Sequence, residues 1–353
     1  MSIKQFNFIQ KDIKDLFESV SVSELDGLKN SSLCIPGGAG FVGTWISEIV
    51  NFLNTEHKFN TKVTIIDRDI EKVKTRSPHL LNSKLFDFQR SDIRYLVELP
   101  KDTNYVVFAA GFPSSHDHTS SPVEVMNSSG LGIDSVLRAT DRLSNFKMFL
   151  NMSSSSVYGH FFDREKNVTE GDFTYVDETS TSSVYAEAKR YTEGLCSAYR
   201  SQFRVPVCTL RPFTLVGPYQ SLNSPWALNS FINDAINGKS VKVLGDGETV
   251  RSFMYATDMA FWTLKTLLNA ESGAKYNLGS SEPVNLRDLS LKVVKHFSVK
   301  TDIIYCAGTA SAMRKTRMVP DTSKIQDKFN LKMTVPLDKA IERTVQWYLL
   351  DRN

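Results

Sequence analysis

Apolar residues first recur at helical spacing at Ile9, Ile13, Leu16, Phe17 and Val20, which predicts a short amphipathic helix over 9–20. Such a stripe needs cover, from the main fold or from a partner subunit. From residue 31 the pattern changes to short apolar runs separated by amphipathic stretches. Ser32 to Ile35 is one run, ending at Pro36-Gly37-Gly38, and an amphipathic segment follows from Phe41 to about Leu53. Val63 to Ile66 is another, closed by Asp67, and Tyr105 to Ala110 leads into a helical pattern over 122–143. Met148 to Met152 precedes a helix over Val184–Phe203 and a strand over Val207–Arg211. Strand and helix in regular alternation imply right-handed crossovers, so the expected class is α/β with a doubly wound parallel sheet covered on both faces.

Past Pro212 the elements shorten. A Gly-Asp-Gly turn at 245–247 is followed by helices near 257–269, 286–297 and 336–350 and a strand near 276–278. The expected organisation is a helical extension over 1–30, a nucleotide-binding unit over 31–212 and a smaller α+β lobe over 213–353, partly interleaved with it. The chain has 353 residues, with 42 Lys and Arg against 39 Asp and Glu, a formal charge of +3. That balance is too mixed to favour nucleic acid or a membrane surface as partner. Cys34, Cys196, Cys208 and Cys306 are far apart with no CxxC pair, which fits reduced thiols better than a disulfide frame or a zinc site. Lys4, Lys11, Asp12 and Asp15 break the apolar N-terminus, so no signal peptide is read there and no membrane span elsewhere. A soluble cytoplasmic protein is expected.

Gly37, Gly40 and Gly43 stand at G-x-x-G-x-x-G spacing between a predicted strand and a predicted helix opened by Phe41 and Val42. In that context the first glycine permits the tight turn, the second admits a pyrophosphate to the backbone, and the third lets helix and strand pack closely. The helix N-terminus then offers free N–H groups and a partial positive charge to phosphate. Asp67 ends the second run, 24 residues after Gly43. A carboxylate there accepts hydrogen bonds from the adenosine ribose hydroxyls and repels a 2′-phosphate, which favours NAD over NADP. Arg68 is the countersignal, as a possible 2′-phosphate partner. Asp92 and Ile93 suit an adenine contact, and Ala109 and Ala110 close a strand at the cofactor edge.

Tyr185 and Lys189 lie one helical turn apart on the same helix face. An ammonium near a phenol lowers its pKa and lets it serve as a base, and the lysine can also hold a ribose. The strand before that helix ends in Ser153-Ser154-Ser155-Ser156-Val157-Tyr158-Gly159, hydroxyls at the carboxyl edge of a parallel strand, where ligands bind.

Together these motifs resemble the extended short-chain dehydrogenase/reductase family, the NAD-dependent nucleotide-sugar epimerases and dehydratases with a Rossmann-like fold. The resemblance spans about 31–350 and includes GGAGFVG, Asp67, SVYG, YAEAK, LRPFTLVGPYQ, GDGETVRSFMYATD, YNLGSSEPV, VPDTSK and TVQWY. It implies Ser154 as the catalytic hydroxyl, Tyr185 as the base and Lys189 as its assistant. It also places Arg251 and Arg317 where arginines hold the substrate diphosphate, a role guanidinium geometry suits.

Departures carry information too. In 4,6-dehydratases of the family the catalytic Thr is followed by an Asp-Glu pair, and uronate decarboxylases carry Glu at the second of those positions. Here they are Ser155 and Ser156, which cannot replace a carboxyl as proton donor. SSSSVYG instead resembles the UDP-glucuronate 4-epimerases. Ser129 and Thr214 stand where Asn is frequent, and Pro36 where Thr is. The loop Gly111 to His118 borders the expected sugar site, with Ser114 as a contact. Its His116 and His118 can be surface residues, a replacement acid or base, or a pair at metal-ligand spacing; no metal is expected.

The expected reaction is oxidation at the sugar C4 followed by return to the opposite face, giving a 4-epimer. Loss of water, loss of CO2 from a uronate, and simple 4-keto reduction are the alternatives. A non-enzymatic nucleotide-binding module is a remote one. The resemblance also implies a homodimer, through segments 122–143 and 184–203.

Overall fold

In the computed structural model, the described residues are 1–111, 115–159, 161, 165–177, 180–297, 301–306 and 316–350, the side chains of 115–117 and 182 apart. The N-terminal helix α1 (Ile3–Ser19) starts earlier than its apolar stripe suggests. Ser2 caps it: its hydroxyl accepts from the Gln5 N–H at 3.2 Å, and the Gln5 side chain accepts from the Ser2 N–H at 2.9 Å. Then come β1 (Ser32–Pro36), α2 (Phe41–His57), β2 (Lys62–Asp67), α3 (Glu71–Arg76), β3 (Phe86–Arg90) and β4 (Tyr105–Phe108). Next in order are α4 (Ser115–Ser120), α5 (Pro122–Thr140), β5 (Met148–Met152), α6 (Val184–Phe203), β6 (Val207–Pro212) and β7 (Leu215–Val216).

The remaining chain runs through α7 (Ala227–Ile236), β8 (Val241–Leu244), β9 (Val250–Arg251), β10 (Met254–Tyr255), α8 (Ala256–Asn269) and β11 (Lys275–Leu278). It ends with β12 (Val284–Asn285), α9 (Leu286–Val294), β13 (Ile303–Cys306), β14 (Arg317–Met318), α10 (Ser323–Phe329) and α11 (Leu337–Leu349).

Seven strands form one parallel sheet in the order β11-β6-β5-β4-β1-β2-β3, a Rossmann-like arrangement. Its inner strands β1, β4 and β5 are wholly buried because helices cover both faces, whereas the edge strand β3 carries Asp87, Gln89 and Arg90 and is only partly covered. Trp45, Ile49, Trp262 and Leu264 of α2 and α8 cover one face, and Ile133, Val136 and Cys196 of α5 and α6 cover the other. The stripe of α1 joins the first of these layers, with Ile9, Ile13 and Leu16 wholly buried. Asp12 goes with it, 2.9 Å from Arg343 Nη1 and accepting from the Tyr255 hydroxyl. Burial pushes its carboxyl up to about 6, against the opposing pull of Arg343.

Beyond β6 the chain builds three small sheets, β7 with β10, β8 with β13, and β9 between β12 and β14. Leu228, Phe231, Val243, Leu289 and Ile341 form a second core beneath them. Strand order reverses between β1 and β4, the switch point outside whose carboxyl ends a sheet of this kind forms its ligand crevice. No described helix is long and apolar enough to cross a membrane.

Candidate active site

The turn after β1 is shaped by what glycine lacks. Gly37 has φ +79°, and a Cβ there would lie 2.4 Å from the Ala110 Cα and 2.5 Å from its N. The backbone after β4 therefore touches the turn, which puts Ala109 and Ala110 at the floor of the crevice. A Cβ on Gly43 would fall 2.4 Å from the Gly38 Cα, so α2 can approach the β1 turn this closely only because residue 43 is glycine. Gly40 is the N-cap of α2 and supplies no side-chain cap, so it leaves the first-turn N–H groups, those of Phe41 and Val42 among them, uncapped. This is a cradle of dinucleotide type: bare backbone, uncapped donors and a helix dipole pointing into it.

Asp67 lies across the turn, accepting from the Ala39 N–H at 3.3 Å through Oδ2 and from the Asp69 N–H at 3.0 Å through Oδ1. Arg68 points away from it, to Glu124 Oε1 at 2.8 Å. Glu124 also binds Arg94 at 2.7 Å, and Arg94 chelates Asp92, with Nε 3.0 Å from Oδ1 and Nη2 2.5 Å from Oδ2. The Arg94 hydrogen bonds hold the Asp92 carboxyl below its ordinary range. Arg68 is thus engaged by a carboxylate, and Asp92 faces an arginine. Ile93 is buried in the core beside Phe108 and Ile133.

The second group gathers where β5 ends. Ser154 is the N-cap of a short 3-10 turn (Ser155–Tyr158), and its Oγ accepts from the Ser156 N–H and lies 3.1 Å from the Ser156 Oγ. Tyr185, in the first turn of α6, has burial raising its phenol pKa and a hydrogen bond with Ser154 lowering it. One turn on, Lys189 donates to the Met152 carbonyl at 2.8 Å, with Nζ 5.8 Å from the centre of the Tyr185 ring. Burial pulls that ammonium down to about 8, opposed by Glu193. Ser154, Tyr185 and Lys189 therefore converge on one point from β5 and α6, as their spacing suggests.

His118, from the short helix α4, lies flat on Tyr185: ring centres are 4.3 Å apart and the planes 7° apart. Sequence singles out this histidine but not its partner, since nothing local joins residues 118 and 185. Ser114 and the side chain of His116 lie outside the described residues. Among the described residues no group of three His, Cys, Asp or Glu side chains could hold a metal.

Arg251 and Arg317 lie on adjacent strands, β9 and β14, where Arg317 pairs with Val250 and Arg251 with Met318. Arg251 donates to the Val250 and Thr316 carbonyls at 2.8 and 3.2 Å, and burial lowers it to about 10. Arg317 donates to Asn167 at 2.8 Å, and its buried Nε has no hydrogen-bond partner. Among the described residues neither guanidinium meets a carboxylate. Thr214 sits at the base of β7, its carbonyl taking the Met254 N–H at 3.0 Å; Ser155 and Ser156 are half-buried beside Ser154.

Comparison with known proteins gives this geometry a context. The NAD dependent epimerase/dehydratase family matches residues 33–279. UDP-glucuronic acid decarboxylase 1 of Danio rerio is 24% identical over 317 residues, 90% of this chain and 72% of that protein. The dTDP-glucose 4,6-dehydratase of Salmonella typhimurium is 25% identical over 349 residues, 90% of this chain and 92% of its own. Among solved structures, UDP-glucuronic acid 4-epimerase from Bacillus cereus in complex with NAD has a TM-score of 0.74 at 22% identity, covering 91% of this chain and 100% of that one. These structures share the fold.

Proposed function

This chain belongs to the NAD dependent epimerase/dehydratase family, and we propose that within it the protein is a nucleotide-sugar 4-epimerase acting on a uronate-type sugar. One observation carries the reading. Ser154, Tyr185 and Lys189 converge beside the glycine cradle, while the two positions after Ser154 hold the hydroxyls of Ser155 and Ser156. Epimerisation needs only the proton-shuttling phenol; dehydration and decarboxylation ordinarily recruit a carboxyl there.

The cradle fits NAD: Gly37, Gly40 and Gly43 would face the pyrophosphate, Asp67 the adenosine ribose, and Lys189 the nicotinamide ribose. Asp92 and Ile93 would border the adenine, with Ala109 and Ala110 under the dinucleotide. When bound, NAD accepts a hydride from a carbinol carbon and returns it. Tyr185 takes the proton of the C4 hydroxyl, sharing it with Ser154, and the Lys189 cation favours the phenolate. After the sugar turns over, Tyr185 gives the proton back to the oxygen now presented from the other face. Arg251 and Arg317 hold the diphosphate, with Thr214 near the nucleotide, and Ser114, Ser155 and Ser156 line the sugar.

A second reading rests on His118. Its imidazole against Tyr185 puts a second group able to carry a proton beside the base, where a decarboxylase or dehydratase needs a second acid. Product mass separates the two. Incubated with UDP-, dTDP-, GDP- and CDP-sugars, uronates included, the enzyme is expected to yield a product of unchanged mass and inverted C4. Loss of water or CO2 would move the assignment to the second reading, and no turnover would leave a binding module.

Asp67→Ala is expected to weaken NAD by about tenfold or more, as a lost charge-assisted hydrogen bond does, and NADP much less. Equal losses in a calorimetric titration would remove Asp67 from the ribose. The protein is also expected to dimerise through α5 and α6, which pack together and expose Val123, Leu131, Tyr191 and Phe203. Monomer mass in light scattering at micromolar concentration would refute that.

A further inference from the structure

Behind the Tyr185–Lys189 pair lies an ion pair, Arg211 buried and Glu193 half-buried, that the proposed chemistry does not use. Glu193, one turn past Lys189 on α6, is gripped by Arg211 from β6, with Nε 2.9 Å from Oε1 and Nη2 2.6 Å from Oε2. The Ser153 hydroxyl, next to Ser154, donates to Oε1 at 2.6 Å. Arg211 continues to the Glu170 carbonyl at 3.3 Å and lies over the Tyr158 ring at 4.8 Å. A single carboxylate therefore ties the helix carrying Tyr185 and Lys189 to the ends of β5 and β6.

We propose that Glu193 is a positioning residue: its carboxylate, pinned by Arg211 and Ser153, supplies the negative charge that keeps Lys189 a cation beside Tyr185. This rests on the reading of Lys189 as the assistant of Tyr185. Around Lys189, α6 contributes Tyr185, Glu193 and Cys196, β5 the Met152 carbonyl, and the chain after β4 the Gly111 backbone. Arg211 stands beyond Glu193, and His118 lies on the Tyr185 ring. Among the described residues, Glu193 is thus the negative charge of this pocket. Lys189 is nine-tenths or more buried, and an ammonium so placed loses its proton readily unless a nearby anion compensates.

A purely structural ion pair and an electrostatic one predict opposite signs. Loosening the core admits water and moves Lys189 up toward the ordinary lysine range. Removing only the charge leaves Arg211 to repel Lys189 and moves it down. The test is competitive acetic-anhydride labelling of the full chain with saturating NAD across pH, the Lys189 peptide being quantified by mass spectrometry. In Glu193→Gln the Lys189 midpoint should fall by about one to two pH units from its wild-type value, as loss of a unit charge one turn away implies. No change, or a rise, overturns the proposal.

Should Glu193→Gln fail to fold with Arg211 left buried and unpaired, the neutral pair Glu193→Gln/Arg211→Met decides. Lys189 below its wild-type value supports the proposal, and no change or a rise refutes it. The labelling reads the charge of Lys189 whether or not sugar turns over, so its failure is distinct from a failure of Tyr185 as base.

Discussion

Tyr185→Phe is expected to lower turnover of the nucleotide sugar by roughly 10²–10⁴-fold, the range for loss of an acid–base group, while leaving NAD bound. The substitution removes one oxygen. Burial raises the pKa of this phenol, so its basicity near neutrality depends on the Ser154 hydrogen bond and on the Lys189 ammonium, 5.8 Å from the ring centre. With phenylalanine in place, those two groups have nothing to act through. The ring itself remains, and with it the face on which His118 stacks. The fold and the cofactor site should therefore persist, and NAD affinity by calorimetry should stay within a few-fold of wild type. Turnover near wild type would take Tyr185 out of the mechanism.

Gly37→Ala is expected to cost about 2–6 kcal/mol of folding stability and to reduce NAD binding by more than about tenfold. Two separate penalties add. A residue with a Cβ held at φ +79° carries roughly 1–3 kcal/mol of backbone strain. The new methyl would also lie 2.4 Å from the Ala110 Cα, against backbone that cannot rotate away, and overpacking of that kind costs about 1–3 kcal/mol. Relief requires the β1 turn to separate from the chain after β4, which opens the floor of the cradle. Gly194 is the matched control. It lies within α6, and a Cβ there meets nothing within 4 Å, so Gly194→Ala should stabilise by about 1 kcal/mol. Chemical denaturation of both variants checks the contrast; equal effects would mean the turn tolerates a side chain.

The sheet and the cradle were legible because each rests on local signals. Runs such as Val63–Ile66 and Met148–Met152 are apolar but for Thr64 and Asn151, because helices cover both faces of the sheet. Gly37 and Gly43 mark close approaches that only glycine permits. The start of α1 was less legible, since its first turn is set by the Ser2–Gln5 capping box rather than by the apolar stripe beginning at Ile9. The second core was hard to read in detail. Strands of two residues, such as β9 and β14, have no periodicity of their own, and their pairing, with Arg317 beside Val250 and Met318 beside Arg251, joins segments far apart in the chain.

In the site, spacing revealed what one helix or one strand end holds, as with Tyr185 and Lys189. It could not reveal pairs made by tertiary contact. His118 on Tyr185, Arg68 and Arg94 on Glu124, and Arg211 on Glu193 all join distant segments. Charged residues inside otherwise apolar stretches were the available signal for the last of these: Arg211 closes an apolar strand and Glu193 follows the buried Lys189 and Thr192. A buried charge of that kind implies a partner without saying which.

A crystal structure of the protein soaked with NAD probes the account at its root. It should show the dinucleotide pyrophosphate over Gly37 and Gly40, the adenosine ribose on Asp67, and the nicotinamide ring within reach of the Tyr185 hydroxyl with its ribose on Lys189. A nicotinamide ring lodged away from Tyr185, with the cofactor otherwise ordered, would contradict it.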